Sequence, residues 1–333
     1  ASARCVMKTI TNQEHDWILA ARSEGLTSLP PGVFEKDLLV TQVLHTIAGA
    51  DSGGIQLVFC GGTCLAKAHG LIQRMSEDID FKLIVPEGLS RSARSRRLSQ
   101  FKKRIASTLN AAGFVTPVEQ IIARDENNYI ALNVHYASRF APVASLRPEI
   151  KIELNARPPV LPTVSRPIRS MLDALLQAPT PGEPMSCISV QETLAEKILS
   201  FLRRTAQALA GRNRAEYDDR LIRHVYDVHA IAHGCPGLVE TLPHAHFATL
   251  THADAAQYRN QYPEFADDPL GQMRLALAAL QDDTAGFVHD YRQFVDELVF
   301  GPPVAFADAR AAFVALAQPL LSAAHKTQQS DPG

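Results

Sequence analysis

Apolar positions along the chain follow two different rhythms. Leu38, Leu39, Val43, Leu44 and Ile47 recur at close to helical spacing and predict a helix over Asp37–Ile47. An earlier helix over His15–Ser23 is set apart from it by Leu29-Pro30-Pro31-Gly32. Gln56–Phe59 reads as a short apolar strand that stops at a double glycine. Asp78–Val85 then alternates, with Ile79, Phe81, Leu83 and Val85 on one side, Asp78, Asp80 and Lys82 on the other, and only Ile84 out of step. A period of two places such side chains on opposite faces of a strand, here one apolar and one acidic. Ser92–Ala112 predicts a helix ended by Gly113, and Phe114–Ile122 and Tyr129–Tyr136 predict strands around the polar turn Asp125-Glu126-Asn127-Asn128. Glu149–Ala156 alternates again, setting Ile150, Ile152 and Leu154 against Lys151, Glu153 and Asn155.

Between Arg157 and Pro184 prolines accumulate, which predicts a linker or an extended excursion. Beyond it the rhythm turns helical, over Val190–Thr205, Glu216–His233, Leu270–Asp282, Ala285–Phe300 and Ala305–Ala323. The polar stretch Lys326–Gly333 reads as a disordered tail. The expected organisation is a mixed α/β domain with N-terminal helices over 1–170, an all-helical domain over 185–325, and a tail over 326–333.

Composition narrows the picture less. The 333 residues are 46% hydrophobic and 20% charged, as in ordinary globular proteins, and the formal net charge is −2. Binding to nucleic acid therefore has to rest on a local patch, not on the charge of the whole. No run of roughly 18 apolar residues predicts a membrane span, and Ala1–Ile10 lacks the layout of a signal peptide. Cys5, Cys60, Cys64, Cys187 and Cys235 form no CxxC pair, which argues against a disulfide framework or a zinc ribbon and for a reducing cytoplasm. His244, His246 and His252 match no zinc spacing.

The chemistry concentrates at two places. Asp78 and Asp80, two apart on a strand, project from one face, and their like charges are tolerable with a cation between them. Glu153 would bring a third carboxylate to that face if the two alternating strands are neighbours. Three converging acids suit one or two Mg²⁺ ions. Fifteen residues earlier, Gly61-Gly62-Thr63 reads as a strand-to-helix turn whose backbone N–H groups can approach a phosphate. Taken alone, an Asp-x-Asp describes many solvated strands and a Gly-Gly-Thr describes many turns; their pairing is more specific. Arg74 stands ready to meet a phosphate or to neutralise Glu77. Arg91, Arg94, Arg96, Arg97, Lys102, Lys103 and Arg104 crowd one helix without an acid before Glu119, which suits an RNA backbone or an ordinary solvated face. Arg94, Arg97, Lys102 and Lys103 are the candidate RNA contacts.

Gly61-Gly62-Thr63-x-Leu65-x-Lys67, followed by Arg74-Met75-Ser76-Glu77-Asp78-Ile79-Asp80, resembles the signature of AbiEii/AbiGii-type nucleotidyltransferase toxins of the DNA polymerase β-like superfamily. Phe34-Glu35-Lys36-Asp37 is similar to the stretch that precedes that signature. Glu192-x-Leu194-Ala195-Glu196-Lys197 resembles the next motif, and Arg223-His224-Val225-Tyr226-Asp227-Val228 the last, with His224 where an Asp is usual. The matches span roughly residues 30–235. The resemblance implies an α+β fold: a polymerase β-like nucleotidyltransferase domain with a mixed sheet, followed by an all-helical domain. It implies that Asp78, Asp80 and Glu153 hold two Mg²⁺ ions. Gly61, Gly62, Thr63 and Ser76 would line the triphosphate pocket, with Lys67 and Arg74 also counted as nucleotide-binding. Lys197 would contact phosphate and Asp227 would complete the catalytic set. The implied activity is that of a bacterial toxin transferring NMP from an NTP to RNA, with the tRNA 3′ end as acceptor and a cognate antitoxin as partner. Two other readings stay open: transfer to a small-molecule or protein hydroxyl, and a non-catalytic relative, which His224 favours.

Overall fold

The computed structural model describes residues 7–177, 184–212, 219–241, 244–282 and 286–329. They fall into two compact units. One runs through Gly70 and resumes over Met75–Ile188; the other takes Leu71–Arg74 and the chain from Ser189 onward.

The first unit opens with α1 (Asn12–Ser23), started by a capping box in which Thr11 and Glu14 bond each other's backbone N–H. Helix α2 (Pro31–Ala48) follows. Leu29 and Pro30 lie between the two helices as expected, and Pro31 begins the second, because a proline at the first helical position gives up only an N–H that has no helical partner. Next come β1 (Gln56–Cys60), α3 (Gly61–Lys67), β2 (Ile79–Ile84) and α4 (Arg91–Ala111). They are followed by β3 (Ile122–Arg124), β4 (Tyr129–Val134), β5 (Ile150–Asn155), β6 (Val164–Pro167), α5 (Met171–Leu175) and β7 (Pro184–Cys187).

Among the described residues these strands form one seven-stranded sheet in the order β3-β4-β5-β2-β1-β7-β6. Pairing is mixed: β2 runs parallel to β5 and β1 to β7, and the other neighbours are antiparallel. One expectation needs correction, and one is narrowed to the extended excursion. Phe114–Ile122 is not a strand; only Val115 bridges to His135, and a 3-10 turn at Val118–Gln120 precedes the short β3. The proline-rich stretch is not a plain linker, because β6 lies within it and pairs with β7 at its end, and α5 joins the core through Leu172. A proline can sit in an edge strand, where no neighbour needs its missing N–H, and β6 is such an edge. Residues 178–183 of that stretch lie outside the described residues.

The inward residues of β2, β4 and β5, among them Ile79, Phe81, Leu83, Ile130, Leu132, Val134, Ile150, Ile152 and Leu154, are nearly all fully buried. They share a core with Leu39, Val43 and Leu44 of α2 and with Leu98, Phe101 and Ile105 of α4. Covering one face so completely leaves the other, with Asp78, Asp80 and Glu153, to carry polar groups.

The second unit is helical: α6 (Val190–Leu209), α7 (Arg223–Gly234), α8 (Gly237–Glu240), α9 (His244–Tyr258), α10 (Pro263–Asp267), α11 (Pro269–Asp282), α12 (Phe287–Leu298) and α13 (Phe306–Gln329). The helix expected from Glu216 begins only at Arg223, after a 3-10 turn over Asp219–Ile222; 213–218 lie outside the described residues, as do Cys5 and Ala285. Helix α13 takes in the first part of the expected tail, and 330–333 lie outside the described residues. Leu71–Arg74 belongs here because Gln73 carbonyl accepts from Phe300 and Gly301 N–H at 3.0 and 3.1 Å, and Arg74 bridges to Val299. Among the described residues no helix is long and apolar enough to cross a membrane.

Candidate active site

Asp78 lies one residue ahead of β2 and Asp80 within it; both are partly exposed, and the intervening Ile79 and the following Phe81 are buried. Alternation along the strand thus sets the two carboxylates on the polar face. Across the sheet, Asp80 is the direct register partner of Glu153 on β5 and of Cys60 on β1. The neighbourhood of β2 and β5, on which the role of Glu153 depends, is therefore present.

The glycine turn is fitted to Asp80. Gly61 has φ +78°, and a Cβ built there would stand 2.2 Å from Asp80 Oδ2 and 3.0 Å from its Cγ. Only a residue without a side chain leaves the carboxylate this room. Thr63, fully buried, bonds Ser76 Oγ at 2.9 Å and donates to the carbonyl of Asp78. Thr63 and Ser76 thereby tie α3 to the segment that delivers the acids.

Each acid has polar company. Asp78 Oδ1 accepts from Arg147 Nη1 at 2.6 Å. Glu153 Oε1 accepts from Tyr129 Oη at 2.7 Å and pairs with Lys151 Nζ at 2.5 Å. Burial raises the affinity of Glu153 for a proton, yet the bonds from Lys151 and Tyr129 outweigh it and hold the group below its ordinary pKa. It is an anion at neutral pH. Burial, reinforced by Glu153, pushes the Tyr129 phenol well above its usual range, so it stays a donor.

Lys67 lies in the interior, with Nζ 2.5 Å from Asp37 Oδ1, 2.7 Å from Thr41 Oγ1 and 3.2 Å from the Asp37 carbonyl. An ammonium has three donors, and all three are taken, so Lys67 fastens α3 to α2. Burial lowers its pKa against the opposing pull of Asp37.

The Glu35-Lys36-Asp37 run is almost wholly buried, and each residue anchors a different segment. Glu35 accepts from Arg139 N–H at 2.7 Å and from Phe140 N–H at 3.3 Å. Lys36 donates to the carbonyls of Arg147 and Glu149 at 2.8 and 2.6 Å and lies 3.4 Å from Glu77. Asp37 holds Lys67 and accepts from Met171 N–H at 2.6 Å. Sequence reasoning did not assign these roles to the run, nor did it single out Arg147 and Tyr129. Three consecutive charges beside a helical apolar stripe were the available signal for the first; nothing in the spacing marked Arg147.

Lys197 and Asp227 meet within the helical unit. Asp227, fully buried, takes a two-pronged bond from Arg74 Nε and Nη2, each at 2.7 Å, and pairs with Lys197 Nζ at 2.6 Å. Burial alone would raise its pKa, but Arg74 and Lys197 dominate and hold it well below the carboxylate range. Asp227 thus gathers two cations, Arg74 and Lys197, around one carboxylate. His224, where the resemblance implied an Asp, has its pKa driven well down by burial and then by Lys197 and Arg223, so its imidazole is neutral at pH 7. Its Nδ1 is buried and has no hydrogen-bond partner among the described residues. Glu77 pairs with Lys36, and Arg74 is committed to Asp227.

The basic helix α4 uses several of its cations within its own unit. Arg91 pairs with Glu126, Arg94 donates to Asn128 Oδ1 and the Ala156 carbonyl, Lys102 to Asn127 Oδ1, and Arg104 to Asp51. Two of these bonds hold Glu126 and Asn127, which with Asp125 stand at positive φ. Arg96 and Lys103 are exposed, and Arg97 is partly so. The three histidines of the rejected zinc reading lie on α9.

Two partly exposed carboxylates offer hard oxygen donors, with no imidazole beside them in the register. Among the described residues no three His, Cys, Asp or Glu side chains group to hold a metal ion. Such a set fits Mg²⁺ that arrives on a nucleotide, since that ion is commonly bound by one or two carboxylates and substrate phosphates.

Paired acids on a mixed sheet thus face a glycine turn. The chain belongs to the AbiEii family: the model of the nucleotidyl transferase AbiEii toxin, type IV toxin–antitoxin system, matches residues 43–314. Among solved structures, the MenT4 nucleotidyltransferase toxin Rv2826c from Mycobacterium tuberculosis H37Rv is similar, at 17% identity and a TM-score of 0.46, covering 94% of this chain and 95% of that one. No curated protein matches.

Proposed function

We propose that the protein transfers a nucleoside monophosphate from an NTP to a hydroxyl of an RNA, the 3′ end of tRNA, and thereby arrests growth as the toxin of a toxin–antitoxin pair. The acceptor oxygen attacks the α-phosphorus as the bond to pyrophosphate breaks. The observation that carries this reading is the fit of Asp80 to Gly61 beside Asp78, a carboxylate pair at a backbone turn free of side chains. Asp78 and Asp80 are the metal acids, with Glu153 the third carboxylate beside Asp80. Bound Mg²⁺ supplies charge neutralisation on the triphosphate and lowers the pKa of the attacking hydroxyl. Gly61 and Gly62 give phosphate close access to backbone, while Thr63 and Ser76 fix that turn in register with the acids. In the helical unit, Asp227 orients Lys197 and Arg74, donors of the kind that bind phosphate. NTP and a cognate antitoxin are the expected partners, and the cytoplasm the expected place of action.

One observation favours a second reading, with a small molecule or a protein hydroxyl as acceptor: much of the basic character of α4 is engaged in internal bonds. Incubation with each α-labelled NTP, Mg²⁺ and total RNA separates the two. Label in tRNA supports the first reading; label only in protein or small molecules supports the second. No label under any NTP removes the assignment of activity.

A further inference from the structure

Arg147 is held by its backbone and points with its side chain. Its N–H donates to both oxygens of Glu77, at 3.0 and 3.3 Å, and its carbonyl accepts from Lys36 at 2.8 Å. Lys36 and Glu77 are themselves a buried pair, exposed by only 1% and 9%. Burying two charges is unfavourable unless their bonds are well made. Here those bonds fix the peptide groups of the turn into β5. Burial lowers the Lys36 pKa and raises that of Glu77, each opposed by its partner.

From this clamp the guanidinium extends to Asp78 Oδ1 at 2.6 Å, and its charge also acts on Glu153. Unlike the clamp, this ion pair is accessible: the two side chains are 37% and 23% exposed. Accessible ion pairs are weak and exchange readily. A divalent cation at Asp78 meets the repulsion of Arg147 at the same carboxylate. A triphosphate meets the opposite, a planar fork of N–H donors suited to two phosphate oxygens.

We propose that Arg147 is a nucleotide-positioning residue that rests on Asp78 and passes to the triphosphate when the metal–nucleotide complex arrives. This rests on the reading of Asp78 and Asp80 as the metal acids. The exchange makes Asp78 a poor site for a metal ion alone and a good one for a metal ion on a nucleotide.

Mn²⁺ titration of the nucleotide-free protein, followed by electron paramagnetic resonance, tests it together with calorimetry of the Ca²⁺–NTP complex. Arg147→Gln keeps both backbone anchors, and an unchanged melting temperature verifies that. Relative to wild type, the variant is expected to bind Mn²⁺ alone about tenfold more tightly and Ca²⁺–NTP at least about tenfold more weakly, in line with loss of one nearby positive charge. Arg147→Lys falls between in both. Unchanged or weaker Mn²⁺ binding in Arg147→Gln, or unchanged NTP binding, overturns the proposal. Asp80→Asn separates the two levels: if it loses Mn²⁺ while Arg147→Gln matches wild type, only the role of Arg147 falls. If Asp80→Asn binds Mn²⁺ as wild type does, the acid site and the proposal fall together.

Discussion

Gly61 and Asp80 occupy space that a single added carbon would make incompatible: a Cβ on the one would come within 2.2 Å of the carboxylate oxygen of the other. The contact joins the turn after β1 to the acid of β2, which are hydrogen-bonded neighbours through Cys60 and Asp80. Substitution at Gly61 therefore acts on the acid directly.

Gly61→Ala is expected to lower NMP transfer by about a hundredfold or more while lowering stability by only about 1–2 kcal/mol, the usual penalty for a side chain at positive φ. Melting curves and transfer rates measured on the same preparation check this. A variant that melts lower but transfers at the wild-type rate would show that the fit does not serve catalysis.

Asp80→Asn removes one charge from the carboxylate pair and preserves shape. Transfer is expected to fall by about a thousandfold or more at a concentration where the variant is fully folded. Single-turnover assays at saturating Mg²⁺ give the rate. Retention of a tenth of wild-type activity would remove Asp80 from the catalytic set.

Asp37 and Lys67 form a buried pair whose loss should be lopsided. Asp37→Ala strands an interior ammonium and the Met171 N–H, and is expected to cost about 3–5 kcal/mol. Lys67→Met replaces the stem with apolar volume; paired with Asp37→Leu, it should recover most of the loss. Chemical denaturation of the single and double variants measures it, and an additive double variant would contradict the coupling.

The acid side of the stability profile should carry the mark of Asp227. Its folded pKa is depressed, so the unfolded chain binds the proton more readily. The stability it contributes is present above the unfolded carboxylate value and is lost as pH falls below about 4. Asp227→Asn is expected to flatten that limb of the profile and to lower stability at pH 7, because the charge of Asp227 opposite Arg74 and Lys197 is lost. Unfolding free energies between pH 3 and 7 decide it; an unaltered acid slope would exclude Asp227 as its source.

If α4 meets RNA, its exposed cations should do so and its bonded ones should not. Arg96→Glu with Lys103→Glu is expected to weaken RNA binding and to reduce its salt dependence by about one unit per lost phosphate contact. Arg94→Gln should instead lower the melting temperature, since Arg94 ties α4 to Asn128 and Ala156. Titrations at several salt concentrations compare them, and equal RNA affinity in the double variant would remove α4 from the interface.

Period and punctuation in the sequence determined a good deal by themselves. Alternation along Ile79–Ile84 and Ile150–Asn155 set the acids against an apolar face, because a strand has only two faces and one of them must be buried. The Gly-Gly turn marked a close approach, though not which group approaches. The family motifs carried the activity class. Tertiary structure alone decided which charges answer which. The resemblance counts Lys67 as nucleotide-binding, while in the structure Asp37, 30 residues earlier, closes on it. Arg147 carries no sequence signal, because its position on Asp78 follows from Lys36 and Glu77 clamping its backbone. Local pattern records which face a residue takes. The pairing of buried charges depends on contacts between distant segments, and those exist only once the chain has closed on itself.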